Sequence, residues 1–89
     1  MASWTIERTD TFLKHLKKQK NNHELFQELE SKIQRLLEDP SAVGGLLSGP
    51  LHGIRSTRLA RKFRLLFQVD EEKRIVYLIA LDHRKEVYE

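Results

Sequence analysis

Residues 54–81, IRSTRLARKFRLLFQVDEEKRIVYLIAL, decide the fold. Across residues 63–69 every second residue is a large apolar one, which is the period of a β-strand with one buried face. Residues 54–59 predict a strand before it. The nearly continuous apolar run in residues 74–81 predicts a central strand that is covered on both faces. Polar turns separate the runs, so the stretch predicts an antiparallel meander of three strands.

Two helices are predicted on the N-terminal side of the meander, after a short strand over residues 4–8. Thr9 or Asp10 is a suitable N-cap for the first helix. Its apolar residues fall on one face: Phe12, Leu13 and Leu16.

The second helix has the clearest pattern in the chain. Asn22 is its predicted N-cap, and Pro40 ends it because a residue that precedes proline disfavours the helical conformation. One continuous apolar stripe runs along it, which indicates that this face packs on another element. The stripe consists of Leu25, Phe26, Leu29, Ile33, Leu36 and Leu37.

These elements predict an α+β fold in a single domain over residues 1–89. The order is β-α-α-β-β-β, with residues 41–53 as a glycine-rich loop and residues 82–89 as a possible last strand. Both N-terminal helices are expected on one face of a mainly antiparallel sheet of four to five strands. The alternation that buries Phe63 and Leu65 then turns Arg58 and Arg64 toward the opposite, open face.

Composition excludes several classes of protein. Of the 89 residues, 39% are hydrophobic and 33% charged, which is typical of a globular domain. Cysteine is absent, so disulfides, thiolate metal sites and a cysteine nucleophile are excluded. The sequence has neither an apolar run long enough for a membrane span nor the pattern of a signal peptide. We therefore expect a cytoplasmic protein without a membrane partner.

The net charge of +3 hides an uneven distribution of charge. Residues 40–69 contain no acidic residue but hold one histidine and five cations, namely His52, Arg55, Arg58, Arg61, Lys62 and Arg64. Such a segment creates a positive potential and favours a polyanionic partner. The alternative is a basic hairpin that is simply solvated.

Familiar catalytic sites are absent from the sequence. There is no glycine-rich phosphate loop after a strand, no serine in a nucleophile elbow, and no spacing of the four histidines that suits a metal. Candidates remain for RNA cleavage without a metal or cofactor: arginines for the phosphate, a histidine for proton transfer, and a tyrosine for stacking or proton donation. These are Arg58, Arg61, Arg64, His83, Arg84 and Tyr88.

Residues 47–67, LSGPLHGIRSTRLARKFRLLF, and residues 82–88, DHRKEVY, resemble the RelE/ParE superfamily of toxin–antitoxin toxins. The shared pattern is a leucine–glycine loop, a basic strand, an aromatic-arginine-hydrophobic strand and a basic C-terminal stretch that ends in Val-Tyr. The length, the leading strand and the helix pair fit as well, so the resemblance covers nearly the whole chain.

The resemblance implies a toxin of a type II system that enters the ribosome and cleaves mRNA, neutralised by a cognate acidic antitoxin. It implies catalytic roles for Arg58, Arg64, His83 and Tyr88, and the residue chemistry adds Arg84 to this catalytic set. His83 is the favoured general base and His52 the second choice, because arginine is a poor proton acceptor. Contacts with RNA or the ribosome are expected from His52, Arg55, Arg61 and Lys62.

Two other functions stay open at this point. The ParE branch of the superfamily has the same fold but inhibits DNA gyrase and is no nuclease. The third possible function is that of an inactive relative, which binds RNA but does not cleave it.

Overall fold

The computed structural model describes residues 3–47 and 53–83, which form two helices and a five-stranded sheet. In chain order the elements are β1 Thr5–Arg8, α1 Asp10–Lys17, α2 His23–Glu38, a 3-10 turn Pro40–Ala42, β2 Gly45–Leu46, β3 Arg55–Leu59, β4 Phe63–Asp70 and β5 Ile75–His83. The predicted α+β class is confirmed, and each predicted helix and meander strand is present with ends shifted by at most a few residues.

The sheet has the strand order β1-β5-β4-β3-β2 and is mixed. The three meander strands pair antiparallel, but β1 runs parallel to β5, with Thr5 opposite Ile75 and Arg8 opposite Leu78. The expected sheet was mainly antiparallel, and the parallel pair of β1 with β5 makes it mixed. The helices follow β1, in the predicted order β-α-α-β-β-β, so they are not N-terminal to the whole sheet. The parallel pair makes β5 an interior strand, which lies between β1 and β4.

Each helix begins where the sequence supplies an N-cap. The Thr9 side chain accepts a hydrogen bond from the Phe12 N–H, and the Asn22 side chain accepts one from the Leu25 N–H. Phe12 is fully buried, whereas Leu13, which was expected on the same apolar face, is 45% exposed. An eight-residue helix that rests on a sheet buries only a narrow stripe.

One face of the sheet carries the core. Both helices and this face contribute to a single cluster of buried side chains, formed by Phe12, Leu25, Leu29, Leu36, Val43, Leu59, Phe63, Leu65, Phe67, Val76, Leu78 and Leu81. On the open face of β5, Ile75 and Tyr77 are only half-buried. The prediction that β5 is covered on both faces is therefore wrong for the described residues. β5 is an interior strand, but the central strand of the five is β4.

A β-bulge in β5 changes which residues face the helices. Leu66 pairs with Ala80 and Phe67 with Leu78, so Ile79 is an extra residue on this strand. Before the bulge the even-numbered Val76 and Leu78 are buried; after it the odd-numbered Leu81 is buried. Every residue that follows Ile79 is thereby turned to the face opposite the one that strict alternation gives it.

The sheet has a fifth strand that the sequence did not predict, and it precedes the meander in the chain. Residues 45–46 were expected in a loop but form β2, which pairs antiparallel with β3 through Gly45 opposite Ser56. Of the possible last strand over residues 82–89, the first two residues belong to β5, and residues 84–89 lie outside the described residues.

Candidate nucleic-acid interface

The candidate site is the open face of the hairpin that β3 and β4 form. Arg58 on β3 lies directly opposite Arg64 on β4, and Arg64 in turn lies opposite Asp82 on β5. Across β3, β4 and β5, the three paired positions therefore hold a cation, a second cation and an anion. Side chains that face each other on neighbouring strands have Cβ atoms about 4.5–5.5 Å apart, and like charges on directly opposite residues are destabilising. An anion bound between the two guanidinium groups removes that repulsion.

The edge of β3 leaves Arg58 accessible. In the described residues β2 pairs with β3 only at Arg55 and Ser56, so it ends before Arg58. Arg58 is exposed and Arg64 is half-buried between its two neighbours. Two guanidinium forks at these positions suit the oxygens of a phosphate group, which arginine binds in a planar, bidentate manner.

The turn of the hairpin is held by α2. Ala60 adopts a left-handed conformation with φ of 53°, and its N–H donates a 2.9 Å hydrogen bond to the Glu28 carboxylate. Arg61 and Lys62 follow in the turn and are exposed. The fixed turn thus presents two further cations at the end of the hairpin that carries Arg58 and Arg64.

Arg55 lies on the helix side of β3, not on the open face. Its Nη2 donates to the Ser41 carbonyl at 2.8 Å and lies 3.4 Å from the Gly44 carbonyl and 3.5 Å from that of Val43. These contacts tie β3 to the segment between α2 and β2. Arg55 therefore holds the fold here, and the structure does not place it with Arg58 and Arg64.

His83 also lies on the helix side. It pairs with the buried Phe63, and the two rings are 4.8 Å apart between centroids with a tilt of 37°. Strict alternation from Val76 and Leu78 would have put His83 on the open face with Arg64, but the bulge at Ile79 puts Asp82 there instead. The structure thus brings Arg58 and Arg64 together and separates His83 from them by the thickness of the sheet.

Three of the predicted site residues, His52, Arg84 and Tyr88, lie outside the described residues. Their predicted roles stay predictions. Among residues 3–47 and 53–83, no group of His, Asp or Glu side chains is arranged to hold a metal ion. In the same ranges no helix has the length and apolar character to cross a membrane.

Thr9, which was predicted only as an N-cap, and His15, which had no predicted role, support the end of β5. β1 pairs with β5 only as far as Leu78, and beyond that point α1 and its cap supply the hydrogen bonds. The Thr9 hydroxyl donates toward the carbonyls of Leu78 and Ile79, at 2.8 and 3.0 Å, and His15 Nδ1 accepts from the Leu81 N–H at 3.1 Å. No local sequence pattern predicts these contacts, because they join residues that are more than sixty positions apart in the chain.

Fold and hairpin together define a class: the small toxins whose solved structures share this topology. A chain of the toxin–antitoxin complex RelBE2 from Mycobacterium tuberculosis is 28% identical over 93% of this chain and 100% of its own, with a TM-score of 0.71. The isolated RelE toxin of E. coli is 26% identical over 96% of this chain and 90% of its own, with a TM-score of 0.73. A YoeB/ParE toxin from Agrobacterium tumefaciens, at 16% identity, 91% and 99% coverage and a TM-score of 0.77, shows the fold alone.

The sequence also matches a family directly. The model of the ParE toxin of type II toxin–antitoxin systems, parDE, matches residues 6–88, and the chain belongs to this family. It is thus a type II toxin with the fold shared by RelE, ParE and YoeB, as the sequence resemblance implied. A comparison with curated protein sequences finds no match.

Proposed function

We propose that this toxin is a metal-independent endoribonuclease that cleaves mRNA on the ribosome. The observation that carries the proposal is the pair Arg58 and Arg64, which face each other on the open side of the hairpin. Two like charges held side by side at a cost in stability are explained by an anionic ligand. A phosphodiester is an anion whose oxygens match the geometry of guanidinium groups.

In the proposed reaction a ribose 2′-oxygen attacks the adjacent phosphorus, and the bond from phosphorus to the 5′-oxygen breaks. The products are a 2′,3′-cyclic phosphate and a 5′-hydroxyl. Arg58 and Arg64 stabilise the phosphorane, whose extra negative charge develops between the two guanidinium groups. His52 is the proposed base for the proton of the 2′-hydroxyl, because His83 lies on the other face of the sheet from the two arginines. Tyr88 is the proposed donor to the leaving oxygen, and Arg84 is a further proposed cation of the site.

The proposed partner of the toxin is an antitoxin with an acidic segment. Two observations support it: the family is one of toxin–antitoxin systems, and one of the similar structures is a RelBE2 toxin–antitoxin complex. The cations on the hairpin are matched by an acidic chain, which covers them and blocks access of RNA. With the ribosome and mRNA as the other partners, the proposed location is the cytoplasm.

Primer extension on message from cells that express the toxin tests the proposal. We expect a stop of translation and new 5′ ends within codons of ribosome-bound message. The double substitution Arg58→Ala and Arg64→Ala should abolish both. The exposed Arg35 on α2 and Lys73 in the turn after β4 provide a charge-matched control, and the double substitution Arg35→Ala and Lys73→Ala should leave cleavage unchanged. Growth arrest with intact message contradicts the endonuclease.

Inhibition of DNA gyrase is the second candidate, and one feature of the site favours it. The open face of the described hairpin brings no histidine to Arg58 and Arg64, because His83 packs on Phe63 on the other side. The family that matches is moreover that of ParE. A supercoiling assay with purified gyrase separates the two functions: inhibition with no RNA cleavage supports the second, and no effect on gyrase removes it.

A further inference from the structure

The cations outside the hairpin are concentrated at the end of α1. Residues 14–20 read KHLKKQK and contain four lysines and one histidine. Lys14, Lys17 and Lys18 are three and four residues apart, so they share one side of the helix, and all three are exposed. This cluster lies in the helix layer and is distinct from the hairpin.

A shallow groove runs along the cluster. Its volume is about 520 Å³, and it is lined by Thr11, Lys14, His15, Lys17, Lys18 and Lys20. None of these residues is acidic, so the groove offers hydrogen-bond donors without a carboxylate to neutralise them. Such a lining suits a polyanion rather than a neutral or cationic ligand.

His15 adds a fixed donor to this lining. Its Nδ1 accepts the hydrogen bond from the Leu81 N–H, so the proton of the neutral imidazole lies on Nε2. The same hydrogen bond anchors the groove to β5. The lining therefore has a rigid base, on which flexible lysine side chains can follow a ligand.

The helix dipole explains only part of the cluster. Lysines in the last turn of a helix interact favourably with its negative end, which accounts for Lys14 and Lys17. It does not account for Lys20, which lies beyond the helix. Lys14 and Lys18 are four residues apart and repel one another, which a bound anion would relieve.

The cluster and the hairpin lie at the same end of the sheet. His15 contacts Leu81, which pairs with Leu65 on β4, three residues after the turn that holds Lys62. Arg58 and Arg64 nevertheless face the open side, while α1 covers the other. A single small anion cannot touch both sets of cations, whereas a polymer of phosphates that passes around this end of the sheet can.

We propose that the groove on α1 binds the phosphodiester backbone of the single-stranded RNA whose neighbouring segment lies on the hairpin. RNA is chosen over an acidic protein because this inference rests on the proposed endonuclease function. The groove holds the strand outside the bond that is cut, so it adds affinity and sets no base preference.

Fluorescence anisotropy with a labelled 2′-O-methyl RNA 12-mer tests the inference, since this strand lacks the attacking hydroxyl and stays intact. The test variant carries Lys14→Gln, Lys17→Gln and Lys18→Gln. The control variant carries Lys32→Gln, Arg35→Gln and Lys73→Gln, which remove the same net charge elsewhere. Circular dichroism melts establish that both are folded; should the test variant unfold, the single substitutions at Lys14 and Lys18 replace it.

We expect the test variant to bind about tenfold more weakly or worse. Its slope of log K against log salt should be shallower by about 2, because each lost phosphate contact removes about 0.7 for a single strand. Equal affinities of the two variants overturn the inference. So does an equally large loss for an RNA duplex or for polyglutamate of the same charge. A wild-type protein that binds through α1 but leaves ribosome-bound message intact contradicts the endonuclease proposal and not this one.

Discussion

Arg64 has a cation on one side and an anion on the other. The register places Arg58 across from it on β3 and Asp82 across from it on β5. If the pair stabilises the phosphorane, Arg64→Ala should lower the rate of mRNA cleavage about 100-fold or more, the effect of losing one transition-state donor. Single-turnover cleavage of ribosome-bound message measures it.

The control for this substitution is Gln68→Ala, an exposed position on the same strand and the same face. It should cleave at the wild-type rate. A wild-type rate in Arg64→Ala removes Arg64 from the site. A similar loss in both variants assigns the effect to the strand instead of the charge.

Gly44 should tolerate no side chain, for two reasons that its neighbour does not share. Its φ is +66°, and a Cβ built there overlaps the carbonyl oxygen of Ser56 on β3. We expect Gly44→Ala to lower the free energy of unfolding by at least about 1–2 kcal/mol from the left-handed conformation alone. Gly45→Ala is the matched control, because a Cβ at Gly45 has no atom within 4 Å. Urea denaturation of both variants tests the prediction. Gly44→Ala should unfold at a lower urea concentration than Gly45→Ala, and equal midpoints contradict the prediction.

At the scale of elements, the end of β5 depends on α1 and its cap. The side chain of Thr9 accepts the hydrogen bond that caps α1 and donates toward the two carbonyls at the bulge. Thr9→Val keeps the shape and removes both interactions. We expect it to cost about 1–2 kcal/mol, the value of a lost N-cap. In a domain of this size, each kcal/mol of lost stability lowers the melting temperature by about 4–8 °C, so a thermal melt measures the effect.

Thr11→Val provides the comparison for that melt. Thr11 is exposed in the first turn of the same helix, so the substitution changes the same chemical groups without touching the bulge. A melting temperature that falls equally in both variants would mean that the loss comes from replacing a hydroxyl by a methyl group at the start of the helix, and not from the cap and the bulge.

The elements were predictable where one residue pattern determines one element. The stripe from Leu25 to Leu37 gave α2, and the alternation from Phe63 gave β4. The bulge at Ile79 was not predictable, because an extra residue in a nearly uniform apolar run leaves no mark on the sequence. That one residue decides whether Asp82 or His83 faces Arg64, so the expected cluster of arginines with a histidine was beyond the reach of the pattern.

At the scale of the whole molecule, long-range pairing is what the sequence left undetermined. β1 and β5 are joined in parallel although about 70 residues separate Thr5 from Ile75. The pattern of β1 contains no information about its partner. The position of α1 beside Leu81 follows from that pairing, and so does the approach of the lysine cluster to the hairpin end.

The salt dependence of RNA binding reports how much of this surface one strand contacts. With Arg55 committed to backbone carbonyls, the hairpin supplies four cations, Arg58, Arg61, Lys62 and Arg64. At about 0.7 per phosphate, they predict a slope of log K against log salt near −3 for the 2′-O-methyl 12-mer. Three lysines of α1 on the same strand steepen it to about −5. Titrations of wild-type protein from 50 to 300 mM salt distinguish the values. A slope near −3 confines the strand to the hairpin, and a slope near zero contradicts RNA binding altogether.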